Sequence, residues 1–81
     1  EVSYMVTIKL FGTLRLKTGF KGTEADITSV KEAWQLLSDK TGLPSREFKK
    51  CIIAINGTPA KSGAPLQEGD EIAFFSPSGG G

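Results

Sequence analysis

Between positions 4 and 11 apolar and polar residues alternate: Val6, Ile8 and Leu10 share one parity, and Thr7, Lys9 and Phe11 the other. A period of two over this length predicts a half-buried β-strand. Positions 12–22 keep no sustained period, with Leu14 and Leu16 the regular apolar pair before Phe20. They read as a turn carrying either a short irregular strand or a helical turn, and a second strand is expected over positions 23–27. The period then changes. Val30, Ala33, Trp34 and Leu37 fall at i, i+3, i+4 and i+7, the apolar stripe of a helix. Ser29 and Glu32 have the spacing of a capping box, in which the hydroxyl accepts from the third amide and the carboxylate reaches back. Gly42 suits the left-handed residue that closes a helix and Pro44 blocks its continuation, so the helix is expected over Val30–Thr41. Positions 46–50 read as polar. Positions 51–55 form a short apolar run that ends at Asn56-Gly57, a two-residue hairpin signal. The return strand is expected at Thr58–Ala60, shortened by Pro59. A loop follows over positions 61–69, and Glu71–Phe75 is the last strand.

The order strand, strand, helix, strand, short strand, strand predicts an α+β domain. Its mixed sheet of about five strands carries one main helix on one face, a β-grasp (ubiquitin-like) arrangement. With 81 residues there is room for one core. The expected division is a folded domain over residues 1–75 and a flexible, glycine-rich C-terminal tail over 76–81.

Net charge is +1, and the longest basic run is Lys49-Lys50. That balance argues against nucleic acid or a membrane surface as partner, and no apolar stretch approaches a membrane span. One cysteine and no histidine exclude an internal disulfide, a Cys/His metal site and an iron–sulfur cluster, so no metal is expected. A cytoplasmic setting fits. Cys51 lies in an apolar run with no imidazole partner and reads as a buried, inert thiol. Asp26, Asp39 and Asp70 read as surface or turn residues rather than an acid/base pair. The chain is a poor candidate for an enzyme acting alone.

The candidate chemistry therefore sits at the C-terminus. Gly79, Gly80 and Gly81 have no side chains and can enter a channel where a Cβ would clash. Six residues at roughly 3.3–3.6 Å each reach about 20 Å, enough to place a terminal carboxylate inside another protein. On the preceding strand Ile72 and Phe74 should face the helix, and Ala73 and Phe75 the open side. If this strand lies beside the first, Phe11 meets Phe75 on the uncovered face. The alternative is that one ring tucks under the loop of Pro59 or Gly12. Phe11, Pro59 and Phe75 form the expected partner-binding set. Leu66, Gly69 and Asp70 form a structural turn. Arg15, Lys17, Arg46, Lys49, Lys50 and Lys61 are expected to be solvated.

Leu10-Phe11-Gly12-Thr13-Leu14-Arg15, the capped helix, Ile55-Asn56-Gly57, Leu66-x-x-Gly69-Asp70-Glu71-Ile72-Ala73-Phe74-Phe75 and the final Gly80-Gly81 resemble the small subunit of molybdopterin synthase. The likeness to these ubiquitin-like sulfur carriers covers essentially the whole chain. It implies that an adenylating enzyme of the ubiquitin-activating type uses ATP and Mg²⁺ to activate the Gly81 carboxylate, the chain itself binding no cofactor. A sulfur donor then makes the thiocarboxylate. The resemblance further implies docking on the large synthase subunit, insertion of Gly79 and Gly80 with Gly81, and delivery of sulfur for molybdopterin. Two departures stand out. Ser76-Pro77 replaces the usual Pro-Pro, and Leu16 follows Arg15 where the family has Glu. Competing readings are a carrier for thiamine thiazole or tRNA thiolation, a ubiquitin-like protein modifier, and a binding module without C-terminal chemistry.

Overall fold

The computed structural model describes residues 5–76. They form β1 (Met5–Phe11), α1 (Thr13–Thr18), β2 (Gly22–Asp26), α2 (Val30–Thr41), α3 (Arg46–Lys49), β3 (Ile52–Ile55), β4 (Thr58–Ala60) and β5 (Glu71–Phe75). Tyr4, expected in the first strand, lies outside the described residues. The strands form one sheet in the order β2-β1-β5-β3-β4. β1 and β5 pair in parallel at its centre, and the other neighbours are antiparallel. This is the expected β-grasp arrangement.

Alternation decides the two faces. Val6, Ile8 and Leu10 of β1 and Ile72 and Phe74 of β5 are buried, in one cluster with Val30, Ala33 and Leu37 of α2. The predicted bounds of α2 hold, and so does its cap. Glu32 N–H donates to the Ser29 hydroxyl at 3.3 Å. The return half lands one residue further back than the capping-box pattern, because Glu32 Oε2 accepts from Thr28 N–H at 3.0 Å. That amide, with the Ser29 and Thr28 hydroxyls, holds the Glu32 carboxyl below its ordinary value. Gly42 closes the helix at φ 80°. Asn56 and Gly57, at φ 53° and 83°, make the hairpin turn with two left-handed residues that a right-twisted β-hairpin favours.

Three segments differ from expectation or sharpen it. Of the two options for positions 12–22, a helix forms: α1 buries Leu14 and leaves Leu16 86% exposed. Positions 46–50, read as polar, hold the one-turn helix α3, whose Phe48 is completely buried. A lone aromatic between charged neighbours has no period to betray it. Cys51 precedes β3 and is only half-buried. Burial, aided by the nearby Glu47 charge, raises its pKa to about 11, and its thiol donates to the Glu47 carbonyl at 3.6 Å. Among the described residues no helix is long and apolar enough to cross a membrane.

Phe48→Ala is expected to cost about 3–5 kcal/mol of stability; a denaturation midpoint like that of the unaltered chain would show that the ring anchors nothing. The alkylation rate of Cys51 should climb about tenfold per pH unit and level off only near its pKa of about 11. A plateau near pH ~8.5, where an ordinary thiol titrates, would contradict the burial argument.

Candidate functional site

α2 covers one face of the sheet, and the opposite face carries the candidate site. The register sets Phe11 opposite Phe75 on one side and Ile52 opposite Phe75 on the other. The three form a row across β1, β5 and β3 at the end where β5 finishes. The Phe11 and Phe75 rings stack, with centroids 5.1 Å apart and planes 12° from parallel. Such a stack contributes about 0.5–1.5 kcal/mol beyond its buried area. Phe75 nevertheless remains 40% exposed and Ile52 64% exposed. Apolar surface held open in this way is suited to docking rather than to stability.

The structure therefore brings together the two rings that the parity argument paired. Pro59 shares their face but not their row: it is opposite Ala54, whose other partner is Ala73. β3 stands between it and the rings. Ile52 was overlooked as a site residue. The signal was present in parity, since burying Ile53 turns Ile52 outward. Ala73 also points to the open side yet is buried, flanked in register by Lys9 and Ala54. Lys9 forms a surface ion pair with Glu71 at 3.5 Å. On the β1–β2 side of the rings runs a groove of about 450 Å³, lined by Phe11, Arg15, Lys21 and Glu24 among others.

Both ends of β5 are held. At its start, Leu66 is buried and its N–H donates to the Thr28 carbonyl at 3.1 Å. Asp70 Oδ2 accepts from Gln67 N–H at 2.8 Å, and Oδ1 from the Asn56 amide at 2.9 Å. These two donors keep the Asp70 carboxyl below its ordinary value. Asn56 Oδ1 in turn accepts from Glu71 N–H at 2.9 Å, tying the hairpin turn to β5. At its end, Ser76 is half-buried, and its hydroxyl meets the β1–α1 junction at Leu14 and Phe11. Gly79, Gly80 and Gly81, the tail residues to which the sequence assigns the chemistry, lie outside the described residues.

Elsewhere several charged groups are occupied structurally, while the Trp34 Nε1–H is buried without a hydrogen-bond partner among the described residues. Lys50 pairs with Glu47 at 3.6 Å, the Lys49 ammonium lies 5.6 Å from the Trp34 ring centre, and Asp39 accepts from Gln35 at 3.1 Å. Among the described residues no group of three or more His, Cys, Asp or Glu is placed to hold a metal. On the open face the stacked Phe11 and Phe75 rings and Ile52 offer apolar contact.

The ThiS family profile matches residues 8–81. The molybdopterin synthase sulfur carrier subunit of Escherichia coli (strain K12) is 35% identical over 82 residues, covering 95% of this chain and 100% of that protein. The fold resembles that of small archaeal modifier protein 1 (SAMP1) from Methanosarcina acetivorans, with a TM-score of 0.79 at 25% identity over 100% of both chains. It also resembles a chain in the complex of subunits 1 and 2 of molybdopterin-converting factor from Helicobacter pylori 26695. That match has a TM-score of 0.69 at 28% identity and covers 95% of this chain and 99% of that one. The chain belongs to the ThiS family, as a sulfur carrier of the molybdopterin synthase small-subunit type.

Proposed function

We propose that the reagent is the carboxylate of Gly81, presented by a scaffold that contributes docking and aim. A carboxylate is a poor acyl donor because its charge is delocalised and it lacks a leaving group. An adenylating enzyme of the ubiquitin-activating type, using ATP and Mg²⁺, would join AMP to Gly81 with loss of pyrophosphate. Attack by a sulfur donor then expels AMP and leaves the thiocarboxylate. The carrier docks on the large subunit of molybdopterin synthase through Phe11, Phe75 and Ile52, with Pro59 at the margin. Gly79 and Gly80 pass with Gly81 into that subunit's active site, where the sulfur goes to a pterin precursor. The observation that carries this reading is the row of half-buried Phe11 and exposed Phe75 and Ile52 at the end of β5, at the root of the segment ending in three glycines. A free, half-buried cysteine favours the reducing cytoplasm as its setting.

A second reading is favoured by the likeness to small archaeal modifier protein 1. The same activated glycine would then be joined to amines of target proteins.

Incubation with a competent activating enzyme, ATP, Mg²⁺ and sulfide should raise the mass of the chain by one oxygen-to-sulfur exchange at Gly81, read by mass spectrometry. An unchanged mass would refute the carrier chemistry, and covalent adducts of higher mass in cells would support the modifier role instead. Phe75→Ala should weaken binding to the large subunit by about 2 kcal/mol while the fold is retained. Unaltered affinity in a titration would make the ring a structural residue.

A further inference from the structure

Six residues make up α1, and its first amides need acceptors from outside the helix. Its N-cap is Gly12, which offers no side-chain hydrogen bond. The missing acceptor comes from 62 positions away. Leu14 N–H donates to the Ser76 hydroxyl oxygen at 2.9 Å, and that hydroxyl donates its own proton to the Phe11 carbonyl at 3.1 Å. Ser76 N–H points to the same carbonyl at 3.5 Å. The residue that follows β5 is thus held at three points by the corner between β1 and α1.

The corner is shaped for this. Gly12 has φ 81° and ψ −149°, a conformation open essentially to glycine alone. A Cβ built there would stand 3.2 Å from the Ser76 hydroxyl oxygen. The chain thereby keeps Phe11's carbonyl and Leu14's amide facing one position, where the single oxygen of a hydroxyl accepts from the amide and donates to the carbonyl.

We propose that Ser76 is a positioning residue for sulfur transfer: its hydroxyl clamps the exit of β5 to the Phe11–Leu14 corner and fixes the direction in which the chain leaves the body relative to the Phe11–Phe75–Ile52 row. This rests on the carrier reading above. Residues 77–81 follow the clamp. With a swinging base, docking of the row and entry of the terminal glycine would be separate searches. A fixed base makes the second event intramolecular at a higher effective concentration. The effect belongs to turnover rather than to docking, because the row itself is untouched.

The test compares Ser76→Thr with Ser76→Val, which match in shape and differ in the hydroxyl, with Ser76→Ala as a further variant. Each full chain is converted by an activating enzyme with ATP, Mg²⁺ and sulfide, and sulfur transfer is then followed with the large synthase subunit. Ser76→Thr should keep kcat near that of the unaltered chain. Ser76→Val and Ser76→Ala should lower kcat about tenfold with KM unchanged. Hydrogen exchange at the Leu14 amide should accelerate in those two variants and not in Ser76→Thr. The clamp is overturned if Leu14 exchange accelerates while kcat stays unaltered, or if Ser76→Thr loses as much turnover as Ser76→Val. If the unaltered chain gains no sulfur from a competent enzyme, the carrier reading fails and the clamp with it. If it does and all variants match it, the clamp alone fails.

Discussion

The parallel pairing of β1 with β5 is the constraint on which the rest of this structure depends. Two parallel neighbours cannot be joined by a tight turn, so everything between them must form a crossover that returns the chain to the same end of the sheet. That return makes β5 a central strand, bonded to β1 on one side and β3 on the other. It also aligns the finishing ends of the first and last strands. Phe11 and Phe75 become neighbours for this reason alone, and the corner after β1 comes within reach of the residue after β5.

The same pairing separates two tasks by face. Residues of one parity on β1 and β5 fill the core with α2, and residues of the other parity remain for contact. No side chain has to serve both purposes. Ala73 shows how narrowly this works. It faces the open side yet is buried between its in-register neighbours Lys9 and Ala54, so at this end of β5 the open face presents Phe75 and Ile52 instead. The turn at Asp70 and the side chain of Asn56 hold the start of β5, so the strand cannot slip without breaking both. A slip of one residue would exchange core and contact faces.

What was legible in the sequence follows the range of the signal. The bounds of α2, the Asn56-Gly57 turn and the bounds of β4 and β5 were readable because capping residues, left-handed positions and alternation act over a few residues. The stack of Phe11 on Phe75 needed only parity and one correct guess of adjacency. Phe48 was not readable, since a single aromatic among charges declares no face; only the packed core identifies it. Ile52 could have been found from the register of β3 against β5, which itself depends on the whole topology. α1 escaped a firm reading because its cap lies on another element: the hydroxyl that accepts from Leu14 belongs to Ser76. Ser76 itself was assigned to the tail for want of any local clue that its side chain is tied to the body.

Pro59 has a further consequence that its place on the contact face conceals. β4 is one border of the sheet, three residues long. Because Ile55 and Thr58 flank the two-residue turn, position 59 falls at a non-hydrogen-bonded pair, where a backbone N–H would point outward. Proline has none, so this border cannot template another strand. The opposite border, β2, exposes Glu24 and Asp26 in alternation. The two borders of the sheet thus discourage edge-to-edge stacking with copies of the chain, while the Phe75 ring and Ile52 stay open on the face between them.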